Sequence, residues 1–261
     1  MRAVGVRNGD RANVKALRAT ATGWALAALM LFAACGGSSG SKTPTPLAGE
    51  QLAGRNTVRG DSCTPDADPL AQVLPALVRI TTPPDANGGY SSGTGIIIDS
   101  GWVLTNQHVI DSAGGQLVNT FYVDGHKSAG KVVASDADLD LALIQTETGT
   151  LPSANWGDEG KLQNGSVLYA IGYAGGSPVP FEEQGRYIQT TVDRGTGQAY
   201  IVSDVQLQHG DSGGPLLNRC GQVIGINTAR IRDGVGDGQN AGLSIPGFGA
   251  RRWAMKNRTG Q

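Results

Sequence analysis

Histidine and cysteine each occur only three times in the 261 residues, and that scarcity excludes a good deal. None of the cysteines (Cys35, Cys63 and Cys220) sits in a Cys-x-x-Cys pair, and three histidines are too few for the usual ligand sets. A zinc site is therefore not expected, and no metal or cofactor is called for. Charge of one sign is also missing. The 21 basic and 22 acidic residues give a formal net charge of −1, with no sustained basic run in the body of the chain. Nucleic-acid binding thus has no electrostatic footprint here. Aromatics make up 5% and prolines number 12, whereas glycine reaches 40, about twice ordinary usage. Such a chain is globular and rich in turns rather than disordered.

Long apolar runs are absent but for one, Trp24 to Ala34. It follows a segment carrying Arg2, Arg7, Arg11, Lys15 and Arg18 against a single acid, Asp10. As a helix it would reach about 16 Å, roughly half the hydrocarbon thickness. Residues 1–35 therefore read as a secretory signal peptide and not as a spanning helix. Leu31-Phe32-Ala33-Ala34, ahead of Cys35, resembles a bacterial lipoprotein cleavage box, although Phe32 replaces the usual aliphatic residue. In that reading Cys35 takes lipid and anchors the protein on the outer face of the cell membrane. The alternatives are ordinary cleavage after Ala34 with secretion, or an uncleaved signal anchor. Residues 36–62, rich in Gly, Ser, Thr and Pro, read as a flexible tether, and 63–261 as the folded domain. Cys63 and Cys220 remain as a candidate disulfide of an exported protein, or as two inert buried thiols.

From Leu70 onward, short apolar runs alternate with Gly, Asp and Asn. Ala76–Thr81, Gly95–Ile98, Trp102–Thr105, Phe121–Val123, Lys131–Ala134, Leu141–Gln145, Ser166–Ile171, Tyr187–Val192, Ala199–Val202, Pro215–Leu217, Gln222–Asn227 and Gly242–Ile245 read as strands. About a dozen strands at this spacing predict an all-β sandwich or a pair of barrels. Only the end, about Phe248 to Asn257, reads as helix.

Three segments carry chemistry. In Gln208-His209-Gly210-Asp211-Ser212-Gly213-Gly214-Pro215-Leu216, glycines around a serine let the backbone bend sharply and gather amide N–H groups at one point. A nucleophilic serine needs such donors, because attack on an amide carbonyl creates an oxyanion. It also needs a base, and His108 in Leu104-Thr105-Asn106-Gln107-His108-Val109-Ile110 fits that role. Asp140, directly ahead of Leu141-Ala142-Leu143-Ile144, is the candidate carboxylate that fixes the imidazole tautomer. Asp136 and Asp138 compete with it and read as solvated loop residues. His126 and His209 read as surface or packing residues, His209 lying near enough to the serine to line its cleft.

The order His108, Asp140, Ser212 matches the chymotrypsin-like order and not the subtilisin or α/β-hydrolase orders. With Gly93-Thr94-Gly95-Ile96-Ile97-Ile98-Asp99, Gly225-Ile226-Asn227-Thr228 and Gly242-Leu243-Ser244-Ile245-Pro246, the chain resembles a chymotrypsin-fold (trypsin-like) serine protease. Within that group it resembles the bacterial high-temperature-requirement, or Deg-type, proteases, from about Leu70 to Asn257. The resemblance implies two six-stranded antiparallel β-barrels with a short C-terminal helix and a site in the cleft between them. It implies an endopeptidase acting on protein or peptide substrates, with an oxyanion hole made by the N–H groups of Gly210 and Ser212. Leu207, Asn227, Thr228 and Arg230 match positions that wall the primary pocket. Leu207 suggests a small-to-medium apolar preference, and Arg230 one for acids.

Deg-type proteases usually carry a PDZ domain, but only a short tail follows Pro246, so PDZ-driven assembly is not carried over. Asp211 stands where Deg-type enzymes often have Asn. In zymogen-activated relatives that aspartate pairs with a freshly cut N-terminal amine, and no matching Ile-Val-Gly-Gly-like start precedes this domain. The rival reading from another class is a catalytically silent trypsin-like domain serving as a binding or scaffolding lipoprotein of the cell envelope.

Overall fold

The computed structural model describes residues 68–85, 87–111, 117–231 and 241–258. The leader 1–35, the tether 36–62, Cys35 and Cys63 lie outside the described residues. Strands β1 (Leu77–Thr81), β2 (Ser92–Asp99), β3 (Trp102–Thr105), β4 (Leu117–Tyr122), β5 (Lys127–Asp136) and β6 (Leu141–Gln145) close into one barrel, in the order β1-β2-β3-β6-β5-β4. Strands β7 (Val167–Gly172), β8 (Phe181–Val192), β9 (Ala199–Ser203), β10 (Pro215–Asn218), β11 (Val223–Ile231) and β12 (Ala241–Pro246) close a second, in the order β10-β11-β12-β9-β8-β7. Every pairing between these strands is antiparallel. Closure leaves neither sheet with an exposed edge.

The burial pattern explains which strands were easiest to recognise. Ile96, Ile97 and Ile98 of β2, Leu141 to Ile144 of β6, and Pro215 to Leu217 of β10 are buried at consecutive positions, so they read as unbroken apolar runs. In β4, exposed Leu117 and Asn119 alternate with buried Val118 and Thr120, as one solvent-facing side demands. Leu77, Ile80, Ile96, Leu104, Leu143 and Ile144 are wholly buried in one core, and Leu168, Ile201, Leu216 and Ile224 are buried in another.

Among the described residues α-helix appears in three places rather than one. Besides the C-terminal α3 (Gly247–Asn257) there are α1 (Pro69–Val73) and α2 (Gln107–Ile110). Helices of four or five residues carry too little 3.6-residue periodicity to register in a sequence. Buried Ala250 and Ala254 seat α3 against β11 and β12, and it also reaches β6 of the first barrel. Among the described residues no helix is long and apolar enough to cross a membrane.

Candidate active site

The first barrel supplies an imidazole and a carboxylate. β3 ends at Thr105, and α2 turns the chain so that Val109 and Ile110 are buried while the His108 side chain stays 47% exposed. Asp140 sits in the turn between β5 and β6 with φ +52°, the one non-glycine positive φ among the described residues. That left-handed geometry costs about 1–2 kcal/mol, and it persists because the turn is held. The carbonyl of Asp140 accepts from Asn106 Nδ2 at 2.8 Å. Its Oδ1 accepts from the His108 backbone N–H at 3.1 Å. His108 Nδ1 lies 3.0 Å from Oδ1 and 2.9 Å from Oδ2, and the Thr228 hydroxyl donates to Oδ2. Burial raises the Asp140 carboxyl, but the bonds from the His108 ring and from Thr228 outweigh it and hold the group below its ordinary value. An ionised carboxylate only accepts, so Nδ1 carries the imidazole proton and Nε2 remains free to take one.

The second barrel supplies the hydroxyl. Ser212 lies in the turn that leads into β10, and its Oγ–H donates to the Thr228 carbonyl at 3.3 Å. The His209 carbonyl accepts from Gly175 N–H at 2.6 Å, and the Asp211 carbonyl from Gly214 N–H at 2.9 Å. In a trans peptide the C=O and the next N–H point in opposite directions. These two anchored carbonyls therefore turn the Gly210 and Ser212 N–H groups away from Gly175 and Gly214. Among the described residues neither of those N–H groups has an acceptor. Gly210 adopts φ +102°, and a Cβ there would fall 2.3 Å from the Tyr173 carbonyl oxygen, so no other residue fits this turn.

Thr94 of β2 fixes the serine turn to the first barrel. Its Oγ1 donates to the Gly210 carbonyl at 2.6 Å and accepts from Tyr173 N–H at 3.0 Å. Its backbone N–H donates to the Ser212 carbonyl at 2.9 Å. In the sequence Thr94 stands out only as a member of the Gly93-Thr94-Gly95 segment. Its role shows once β2 and the serine turn are seen side by side.

Asp211 is 3% exposed and finds its partner within its own turn. Its Oδ2 accepts from Gln208 N–H at 2.7 Å, and its N–H donates to the Gln208 carbonyl at 3.1 Å. Burial pushes its carboxyl up to about 6; nearby Glu183 adds to the rise and the Gln208 bond opposes it. Between the ordinary value of 3.8 and about 6 the folded protein holds this proton more tightly than the unfolded chain does. The contribution of Asp211 to stability therefore falls as pH rises through that window, by roughly 3 kcal/mol in all, and stays at the lower level above it. Asp211→Asn keeps an acceptor for Gln208 N–H without the buried charge. It should melt above the parent at about pH 8 and alongside it at about pH 4. Equal melting temperatures at the higher pH would show that Asp211 is not a buried carboxylate under strain.

His108, Ser212 and Thr228 line one cavity of about 350 Å³ together with Leu207, Ala229 and Arg230; exposed Gln208 and His209 complete it. Asn227 differs from expectation. It is wholly buried, its Nδ2 donates to the Pro215 carbonyl and its Oδ1 accepts from Ser244. It braces the wall from behind instead of facing the cavity. Asp136 accepts from the N–H groups of Asp138 and Leu139 and closes a turn. His126 stacks on Tyr122 and pairs with Asp124. Among the described residues no group of three or more His, Cys, Asp or Glu side chains is placed to hold a metal ion.

Comparison with known proteins agrees with this geometry. A family model for the trypsin-like peptidase domain matches residues 93–226. A probable periplasmic DegP-like serine endoprotease of Chlamydia trachomatis serovar D is 37% identical over 169 residues, which cover 61% of this chain and 32% of that protein. The chain thus spans about a third of the length of that relative. Among solved structures, the HtrA-type protease AlgW with a decapeptide aligns with a TM-score of 0.63 and 25% identity, covering 74% of this chain and 67% of that one. A serine endoprotease from Yersinia pestis aligns with a TM-score of 0.62 and 27% identity, covering 74% and 66%.

Proposed function

The chain belongs to the family of trypsin-like peptidase domains, and from that membership we propose that it is an exported serine endopeptidase working through His108, Asp140 and Ser212. The observation that carries the reading is the union, in one cavity, of a carboxylate-held imidazole and a hydroxyl, in a turn whose Gly210 and Ser212 amides have no acceptor among the described residues. In this reading Ser212 Oγ exchanges the Thr228 carbonyl for His108 Nε2, both residues lining the same cavity. Oγ then attacks the scissile carbonyl carbon while Nε2 accepts its proton, and the Gly210 and Ser212 N–H groups receive the oxyanion. His108 returns the proton to the leaving amine, and water, activated by the same imidazole, releases the acyl group.

The purified full chain should degrade an unfolded, fluorescently quenched protein and stop after treatment with a fluorophosphonate. A folded preparation that never cleaves would favour the silent, scaffolding reading.

The rest of the proposal concerns the chain's setting. Residues 1–35 direct export, 36–62 tether, and 63–261 form the protease domain, with Cys35 carrying the lipid. The signal-like composition of the leader supports this, as does the periplasmic naming of the Chlamydia relative. The mass of the N-terminal peptide from cells decides it: a diacylglycerol adduct on Cys35 is expected, and an unmodified or absent Cys35 would count against the anchor. A Cys63–Cys220 bridge is part of the same proposal, supported by the disulfide-bonded state of Cys220.

A further inference from the structure

We propose that Arg230 is a specificity-determining residue that selects peptide substrates presenting an acidic side chain to the cavity beside Ser212. The inference rests on the protease reading above and names its substrate class.

Arg230 lies on β11 directly opposite Gly242 of β12. Directly opposed residues of an antiparallel pair project to the same face, and a Cβ on Gly242 would meet the Leu207 side chain at 3.2 Å. Arg230 therefore stands on the face that Leu207 walls, and Gly242 leaves room on that face for the Val205 carbonyl and the Leu207 side chain, which a Cβ there would meet at 2.8 and 3.2 Å. Among the described residues that line the cavity, Arg230 alone has a permanent charge and none is an acid.

Among the described residues the nearby acids are engaged elsewhere. Asp140 is engaged by His108 and Thr228. Glu183 accepts from Gln208 Nε2 at 3.2 Å. Asp211 is buried against the Gln208 backbone. Among the described residues Arg230 makes no ion pair, although it is half-buried. A guanidinium offers five donors in a planar fork and pairs with a carboxylate through two of them. A half-buried guanidinium without a partner favours whatever brings it one, and a substrate Glu or Asp does so at the point where its backbone meets Ser212. An apolar side chain would gain from Leu207 but leave the charge uncompensated.

The test compares internally quenched peptides in which each position in turn is Glu, Gln, Leu or Lys. Glu should exceed Gln in kcat/KM at one position by about 10- to 100-fold, and the ratio should shrink as salt is added. Arg230→Gln should bring that ratio to about one, and Arg230→Glu should turn the preference toward Lys. Because each ratio is measured within one preparation, poor yield of a variant does not blur it; if neither variant folds, the salt dependence of the wild type decides alone. A wild type that favours Leu over Glu at every position, or a Glu preference that survives Arg230→Gln, would overturn the assignment. Fluorophosphonate labelling of the wild type runs alongside. Labelling and cleavage without acid preference remove only the specificity claim, whereas absence of both removes the protease reading beneath it.

Discussion

Ser212→Ala should lower kcat on a peptide substrate by about a millionfold while leaving the fold intact. Both halves of this expectation follow from the contacts of Ser212. Its backbone carbonyl accepts from Thr94 N–H, and its side chain makes a single 3.3 Å bond to the Thr228 carbonyl. Alanine keeps the first and gives up the second, which is worth about 1 kcal/mol or less for stability. The glycines that shape the turn, Gly210 and Gly213, are untouched. Chemistry loses its nucleophile altogether, and what remains is the residual acceleration from the amides and binding, about 10³- to 10⁴-fold over water. The check is kcat by single-turnover kinetics beside a melting curve. A small change in kcat, or a collapsed melting transition, would contradict the role given to Ser212.

Asp140→Asn is the second large effect, with kcat expected to fall by about 10⁴-fold. The carboxylate accepts from three donors: the His108 ring, the His108 backbone N–H and the Thr228 hydroxyl. An amide offers one oxygen and one NH₂ in their place. If the oxygen takes the Oδ1 place and stays with the backbone N–H, the NH₂ takes the Oδ2 place and faces both the Thr228 hydroxyl and Nδ1, which must then give up its proton. The imidazole proton moves to Nε2, and Nε2 can no longer accept from Ser212. If the amide flips, its oxygen keeps the Thr228 hydroxyl and its NH₂ faces the His108 backbone N–H, which loses its acceptor. The loss should appear in kcat far more than in KM, since Asp140 does not line the substrate cavity. An Asp140→Asn protein retaining a tenth of its kcat would rule out Asp140 as the orienting carboxylate.

Much of this architecture was legible beforehand, for reasons that differ from element to element. All twelve strands left an apolar trace, but β2, β4, β5, β8 and β11 run at least three residues beyond theirs. Segments such as Leu117–Thr120, Lys127–Gly130 and Phe181–Arg186 face solvent on one side and carry polar residues that break up an apolar run. The helix α2, which turns His108 outward, is four residues long and too short for any periodicity. The chemical residues were legible because each sits in a short motif whose glycines or flanking apolar residues are as constrained as the reacting group itself. The contacts that unite them were not. The hydroxyl of Thr228 on Asp140, separated by 88 positions, and Thr94 on Gly210, separated by 116, exist only after the two barrels close. The same holds for Asn227, which shares a segment with cavity residues but lies on the buried side of β11, where Ser244 and the Pro215 carbonyl absorb its polar atoms. Asp211 shows the limit from the other direction. Its sequence context offered no partner in this chain, and the structure supplies the backbone N–H three residues earlier.

The central claim is that His108 makes the hydroxyl of Ser212 nucleophilic. Mass spectrometry of the full chain after brief exposure to a fluorophosphonate near neutral pH tests it most directly. The account predicts one adduct, on the peptide containing Ser212, lost in Ser212→Ala and slowed by orders of magnitude in His108→Ala. An adduct on another residue, or labelling of Ser212 at an undiminished rate without the imidazole, would contradict it.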